Sequence, residues 1–348
     1  MTDSRGVYIV LLNWNGWQDT IACLDSLLPD MHRGARIVVC DNASSDSSLA
    51  HIQSWACGRE FARPASHPRL AALQNHGLAK PRHQRLSWAT AERGDASPDA
   101  QLLLIDNGDN LGFAAGNNVG LRFALSQPDM TAVWLLNNDT LVEPGCLPAM
   151  LDRLAKHDRP AVCGSVIHFF DHPETIQCIG GNRFDCRSGR ALKSEGRFIS
   201  EDALPAIRDV EQRIDYLSGC SMLLPREFLA TVGLMNEAYF LYYEEIDWFT
   251  RAAGRFDLLI AGDARLYHRE GSSIGSRSWR RGPSPLSDRH MFRSRLAFMR
   301  RHYPEALRTC MAGSWLDVGK RLLKCQWRNA AVIIRELLAP VPQGGTGA

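Results

Sequence analysis

The residues best suited by type and spacing to do chemistry are three polar clusters and one acidic run. Asn13-Trp14-Asn15-Gly16, Asp41-Asn42 and Asn137-Asn138-Asp139 each follow an apolar stretch. Tyr242-Tyr243-Glu244-Glu245-Ile246-Asp247-Trp248 sets three carboxylates within four residues, among aromatics. Short amides and carboxylates at strand ends suit a base, a ribose and a metal-bound diphosphate. Any one such cluster is as well explained by turns and helix caps, but three on successive strand ends favour a ligand. Asp139 is a lone carboxylate and suits magnesium or manganese, which keeps waters and takes diphosphate oxygens as further ligands. Such an ion acts as a Lewis acid on a departing nucleoside diphosphate. The acidic run suits a general base. A sugar transfer that inverts the anomeric centre needs one carboxylate opposite the leaving group to deprotonate the acceptor hydroxyl. Burial and mutual repulsion raise the pKa of such a group. A solvated acidic helix start is the alternative, and Tyr239, Phe240, Tyr242, Tyr243 and Trp248 are odd company for one. His268, just beyond a strand, could complete the metal shell, although a single histidine is more often structural.

The elements that must position these groups follow from the apolar pattern. Val7–Leu12, residues 36–40, 102–105 and 132–136 are apolar runs that suit parallel strands buried on both faces. Thr20–Leu28 has helical spacing, so the first strand, this helix and the second strand form a βαβ unit. Ligands of such open sheets bind beyond the C-terminal strand ends, where the polar clusters lie. Residues 51–100 are rich in Pro, His, Arg, Ala and Ser and read as a surface insertion. A helix is expected from the Gly- and Asn-rich segment 110–118 to Leu125, and another from Val142 to about Lys156. Asp215–Leu224 reads as one strand, Tyr239–Ala253 as a helix, and Leu258–Ala261 as a strand leading to His268.

Bulk properties restrict the function. The chain has 348 residues, 45% apolar, 22% charged, with net charge near +2. These values are ordinary for a globular protein and give no global pull toward nucleic acid. The ten cysteines form no C-x-x-C pair and read as buried thiols of a reducing cytoplasm. No signal peptide and no run of roughly 18–20 apolar residues is visible. Gly112-Phe113-Ala114-Ala115-Gly116 is not G-x-G-x-x-G, and no P-loop occurs, which disfavours hydride transfer and P-loop phosphoryl transfer.

The ordered set of motifs resembles the family 2 glycosyltransferases of GT-A fold, in particular their rhamnosyltransferase-like branch. It comprises Leu11-Leu12-Asn13-Trp14-Asn15-Gly16, Val39 to Asp46, Asn110 to Gly120, Leu136 to Thr140, Ser218 to Leu223, Tyr243 to Trp248, and His268-x-x-Gly271-x-Ser273. The resemblance covers about residues 7–275. It implies an α/β GT-A catalytic domain over 1–275, with a mostly parallel sheet. It implies donor binding by Asn13, Asn15, Asp41, Asn110, Gly112, Asn117, Asn137 and Asn138, with Asp41 on the nucleoside. Asp139 and His268 would hold a divalent metal, and Gly219 and Trp248 would face the acceptor. Glu245 stands where the family usually has the Asp of its base motif, so Glu244 and Asp247 compete with it for that role. Met235-Asn236-Glu237 also departs from the family's frequent Phe-Asp-Glu.

Residues 276–340 read as a basic helical region, and 341–348 as a disordered tail. From Arg277 to Arg335 there are 14 Lys or Arg against three Asp or Glu. These helices either pack on the catalytic domain or lie on an anionic membrane surface. The expected function is an inverting transferase that moves a sugar, rhamnose by resemblance, from a dTDP-, UDP- or GDP-linked donor. The acceptor would be a saccharide or lipid-linked saccharide of a surface polysaccharide or glycolipid. The expected location is cytoplasmic, or peripheral on the inner face of the membrane. A catalytically silent nucleotide-sugar-binding scaffold is the alternative, and nucleic-acid binding is disfavoured.

Overall fold

The computed structural model describes residues 4–74, 77–192, 196–269 and 283–339. Chain order gives β1 (Val7–Asn13), β2 (Arg36–Asp41), β3 (His83–Ser87), β4 (Leu102–Asp106), β5 (Ala132–Asn137), β6 (Thr140–Val142) and β7 (Ala161–Phe169). Then come β8 (Ile176–Ile179), β9 (Gly181–Asn182), β10 (Phe184–Asp185), β11 (Arg190–Ala191), β12 (Tyr216–Leu217), β13 (Ser221–Pro225) and β14 (Asp257–His268). The main sheet runs β3-β4-β2-β1-β5-β13-β7-β14-β6, with β8 paired to β7. The half from β3 to β5 is parallel, and β13 is antiparallel to both its neighbours.

The apolar runs are strands because both faces of the sheet are covered. Ile9, Leu11, Ile37, Val39 and Trp134 pack on one side, with Ile21 and Leu24 of the Trp17–Ser26 helix. Tyr8, Val10, Val38, Cys40 and Leu135 pack on the other, with Val119 and Phe123 of the Gly112–Ser126 helix. Alternate side chains thus serve opposite layers, and no position is left for a polar residue until the strand ends.

Several expectations change. Residues 51–100 are not simply a surface insertion. The Ser48–Ala56 helix buries Ile52 and Trp55 in the core, and β3 is the edge of the main sheet. Trp55 Nε1 donates to the buried Asp25 at 3.0 Å. β3 escapes notice because Leu86 is its one buried residue, as befits an edge strand with a wet flank. Val142 belongs to β6, and the helix that follows starts at Cys146. The Asp215–Leu224 stretch is two strands, β12 and β13, separated by Ser218-Gly219-Cys220.

The basic C-terminal region forms the helices Pro285–His302, Leu307–Leu323 and Trp327–Leu338. Phe298, Met299 and Cys310 share a buried cluster with Tyr243 and Trp248, so this region packs into the core beside the main sheet. Gly271, Ser273 and the 341–348 tail lie outside the described residues. All ten cysteines are free, seven of them buried. No helix among the described residues is long and apolar enough to cross a membrane.

Candidate functional site

Strand register gathers the polar clusters at one edge of the sheet. Asn13 lies opposite Asp41, Asp41 opposite Asp106, and Leu12 opposite Asn137. Asn13 is buried and donates from Nδ2 to Asp41 Oδ1 at 2.6 Å and to Ser44 Oγ at 3.1 Å, while its Oδ1 accepts from Thr20 at 2.8 Å. Asp41 also accepts from the Ser44 backbone N–H at 2.9 Å and hydroxyl at 2.7 Å. Asn15, exposed and at φ 51°, accepts from Ser45 N at 2.8 Å. The Asn13–Asp41 pair therefore forms the rigid floor of the cleft, and Asn15 is its exposed rim.

The Gly-rich segment starts a helix aimed at the acidic run. Gly112 has φ +79°, and a Cβ there would strike the Phe240 carbonyl; Phe113 N–H donates to that same carbonyl at 2.7 Å. A Cβ on Gly116 would lie 2.7 Å from Asn42 Oδ1, so glycine lets the helix reach β2. Asn110 accepts from Gly112 N–H at 3.1 Å. Asn117 does not reach the cleft: it is buried, and its amide donates to Phe113 O at 2.9 Å within its own helix. Its neighbour Asn118 binds the Met235 carbonyl and Glu237 at 2.8 and 2.9 Å, tying this helix to the Met235-Asn236-Glu237 segment.

Asn137-Asn138-Asp139 follows β5. Asn138 turns inward, donating to Thr20 Oγ1 at 2.8 Å and Asn13 Oδ1 at 3.3 Å. It braces the turn rather than presenting its amide to a donor. Asn137 and Asp139 face His268, which antiparallel pairing of β14 with β6 sets opposite Thr140. His268 Nε2 lies 3.1 Å from Asp139 Oδ1 and 3.3 Å from Asn137 Nδ2. The other ring nitrogen, Nδ1, is 3.0 Å from Gln177 Oε1. Burial disfavours the imidazolium, but Cys220 and Asp139 more than reverse this and hold the His268 pKa well above its ordinary value.

These residues fit a divalent ion. A carboxylate oxygen and an imidazole nitrogen converge, and the ring is pinned from behind by Gln177, as metal-binding histidines commonly are. No group of three or more His, Cys, Asp or Glu able to hold a metal occurs among the described residues. Two protein donors leave the remaining positions for phosphate oxygens and water, the usual arrangement for magnesium on a nucleotide.

The acidic run is shaped by backbone conformation. The helix starts only at Glu244, not at Tyr239, because Tyr242 and Tyr243 adopt φ 67° and 73°. Left-handed backbone costs an L-residue roughly 1–2 kcal/mol, so something must hold both tyrosines. Tyr243 OH donates to Gly189 O and accepts from Arg295 Nε at 3.0 Å. Tyr242 OH pairs with Ser287 Oγ at 2.8 Å, and Ser294 Oγ donates to Leu241 O at 2.9 Å. Arg295, Ser287 and Ser294 all lie on the Pro285–His302 helix.

The three carboxylates have different surroundings. Glu245 is partly exposed, and its Oε1 lies 3.5 Å from where a Gly219 Cβ would stand. The adjoining Cys220 carbonyl accepts from Asn137 N–H at 2.9 Å, tying the Gly219-Cys220 turn to the start of the Asn137-Asn138-Asp139 turn. Glu244 is buried. Burial and then the charge of Glu245 raise its pKa well above the usual value, while burial raises that of Glu245. Asp247 is not a free base: it is fully buried, accepting from His302 Nε2 at 2.7 Å and Arg251 Nε at 2.8 Å. Burial alone would raise its pKa, and His302 and Arg251 outweigh that and lower it. Trp248 is fully buried against Phe228 and donates to Gly233 O at 2.8 Å, so it cannot touch an acceptor.

The structure adds residues to the site. Asp106-Asn107 ends β4 just as Asp41-Asn42 ends β2, and Asn107 donates to Asn42 Oδ1 at 2.8 Å. The repeated apolar-run-then-Asp-Asn pattern was a usable signal. Gln177 and Arg295 carry no local signal, because each acts on a residue distant in sequence.

Comparison with known proteins agrees with this geometry. The family model "Glycosyl transferase family 2" matches residues 87–180. The low-salt glycan biosynthesis hexosyltransferase Agl10 of Haloferax volcanii is 29% identical over 156 residues, covering 42% of this chain and 45% of that protein. The chain thus matches less than half the length of this curated relative. Among solved structures, the mannosyltransferase PcManGT from Pyrobaculum calidifontis, in complex with GDP-Man and Mn2+, aligns with TM-score 0.51 and 14% identity. That alignment covers 97% of this chain and 88% of PcManGT. S. aureus TarS 1-349 aligns with TM-score 0.49 and 13% identity, over 95% and 81% of the two chains. The likeness to PcManGT carries the fold: the chain has the mixed α/β GT-A architecture.

Proposed function

We propose, for a chain whose residues 87–180 match the model of glycosyl transferase family 2, that it is an inverting glycosyltransferase moving a hexose from a nucleotide-sugar donor to a hydroxyl. The observation that carries this reading is the link between two halves of one cleft. Asn137 N–H donates to Cys220 O, so the segment that carries the Asp139–His268 pair is bonded to the Gly219-Cys220 segment that Glu245 lies beside.

Glu245 accepts the proton of the acceptor hydroxyl, whose oxygen bonds to the anomeric carbon as the bond to the diphosphate breaks on the opposite face. Inversion follows from that geometry. Asp139 and His268 would hold a magnesium or manganese ion, which when bound neutralises charge on the departing diphosphate. Asn15, with the Asn13–Asp41 floor, bounds the nucleoside end, and Asn110 and Gly112 fix the helix start beside it. Burial and the charge of Glu245 hold the Glu244 pKa well above the usual value, which disfavours it as the base.

The donor is read as dTDP-rhamnose by resemblance, with UDP- and GDP-sugars as competitors. The acceptor is read as a saccharide or lipid-linked saccharide in surface polysaccharide or glycolipid synthesis, at a cytoplasmic or inner-membrane-face location. Support for the metal and donor class comes from PcManGT, a protein of the same fold solved with GDP-Man and Mn2+. A panel of nucleotide sugars with Mn2+, read by nucleoside diphosphate release and by thermal shift, tests the reading. Absence of both release and stabilisation by every dTDP, UDP and GDP ligand would overturn it.

A further inference from the structure

The Leu307–Leu323 helix has two unlike faces. Cys310, Ser314 and Val318 are buried, and Val318 joins Phe292, Leu296, Ala330, Ile333 and Leu337 in a cluster that fastens the C-terminal helices together. The opposite face carries Trp315, Leu316, Leu322 and Leu323, all exposed. At about 100° per residue, these positions, with Arg308, Ala312 and Gly319, fall on one stripe. Leu316 is 68% and Leu323 87% exposed, and Trp327, just beyond the following turn, is 63% exposed. Single exposed leucines need no explanation, whereas a contiguous apolar stripe with two tryptophans does.

The charge around this stripe is one-sided. Residues 304–339 contain six Lys or Arg and three Asp or Glu. Arg308, Lys320, Lys324 and Arg328 are exposed beside the apolar residues. Of the acids, Asp317 is paired with Arg190 and Arg295, and Glu336 with Arg289. An apolar face flanked by exposed cations, with tryptophans among the leucines, matches the interface of an anionic bilayer. There indole rings sit at headgroup level and lysine stems let the ammonium reach phosphate.

We infer that the outward face of the Leu307–Leu323 helix, with Trp327, is a docking surface for an anionic lipid bilayer. The Pro285–His302 helix packs on the acidic segment through Leu241, Tyr242 and Tyr243, and on the Leu307–Leu323 helix through Phe292, Leu296 and Val318, so the docking face and that segment are joined by one helix. This rests on the peripheral location within the function proposed above, but lipid binding is read without any sugar transfer, so the two fail separately.

The test is co-flotation of the full chain with vesicles of mixed phosphatidylglycerol and phosphatidylcholine, or of phosphatidylcholine alone. Tryptophan emission and sedimentation velocity are followed in parallel. The expected result is binding to the anionic vesicles, weakened by salt, with a blue shift of emission. The double variant Leu316→Glu/Leu323→Glu should bind at least about tenfold more weakly while keeping its melting temperature. Lys320→Ala/Lys324→Ala should weaken binding to a lesser extent. Equal binding to both vesicle types, no binding, or unchanged binding by the leucine variant would overturn the inference. So would a dimer abolished by that variant, which would make the occupant a second copy.

Discussion

Arg295 Nε donates to the phenolic oxygen of Tyr243 at 3.0 Å, so a C-terminal helix holds in place the left-handed residue that immediately precedes Glu244-Glu245. The same hydroxyl donates to Gly189 O. Removing it in Tyr243→Phe leaves a buried guanidinium nitrogen without this acceptor. The expected loss of stability is about 1–3 kcal/mol, measurable by urea denaturation. The turnover number should fall while the donor KM holds, because the base segment shifts and the nucleotide floor does not. An unchanged turnover number would mean that Arg295 only packs.

Glu244 and Glu245 should separate by substitution. Glu245→Gln removes the proposed base and should lower transfer by about 100- to 10,000-fold with the fold intact. Glu244→Gln should remain active. The acid limb of the pH–rate profile should lie above the ordinary carboxylate range, since burial raises the pKa of Glu245. Full activity of Glu245→Gln would move the base elsewhere or favour a silent scaffold.

The raised pKa of Glu244 has a consequence for stability. Its folded pKa exceeds the unfolded value of about 4.3, so the folded state binds this proton more tightly. That contribution is complete below the unfolded pKa and is lost as pH rises through the folded one. Glu244→Gln, which cannot ionise, should match the parent at low pH, gain on its melting temperature as pH rises through that window, and keep a constant advantage above it. Parallel melting curves across pH would contradict the assignment.

Gln177 should tune the ion site from behind. Its Oε1 is 3.0 Å from His268 Nδ1, so Gln177→Leu should weaken Mn2+ binding by about 10–100-fold. Calorimetry with Mn2+ and a nucleoside diphosphate measures this. Asp139→Ala, removing a proposed ligand, should lose more than Gln177→Leu does.

Asp247 should behave as structure. Removing its charge breaks a buried group paired with His302 and Arg251, so Asp247→Asn should cost about 3–5 kcal/mol. Nucleotide affinity per folded molecule should stay constant. The Asp247 contribution is present above its unfolded pKa and lost as pH falls through the lowered folded one. The stability gap between Asp247→Asn and the parent should therefore narrow in acid.

The sequence by itself determined the parallel strands and the positions at which they turn polar. Unbroken apolar runs such as Val7–Leu12 have one stable use in an α/β protein, and Asn13, Asp41 and Asn137 follow directly along the chain. It also singled out Asp139, His268 and the acidic run as candidates, because their residue types are unusual in those settings. It misread β3, where one buried leucine leaves no period to detect. Only the tertiary structure decided which polar residues are tools and which are struts. Asn117, Asn138, Asp247 and Trp248 have the same local patterns as their neighbours, but their side chains are spent on Phe113, Thr20, His302 and Gly233. Register and long-range hydrogen bonding fix those partners. For Asn138, Asp247 and Trp248 they lie from 15 to 118 residues away in the chain, beyond what a local pattern encodes.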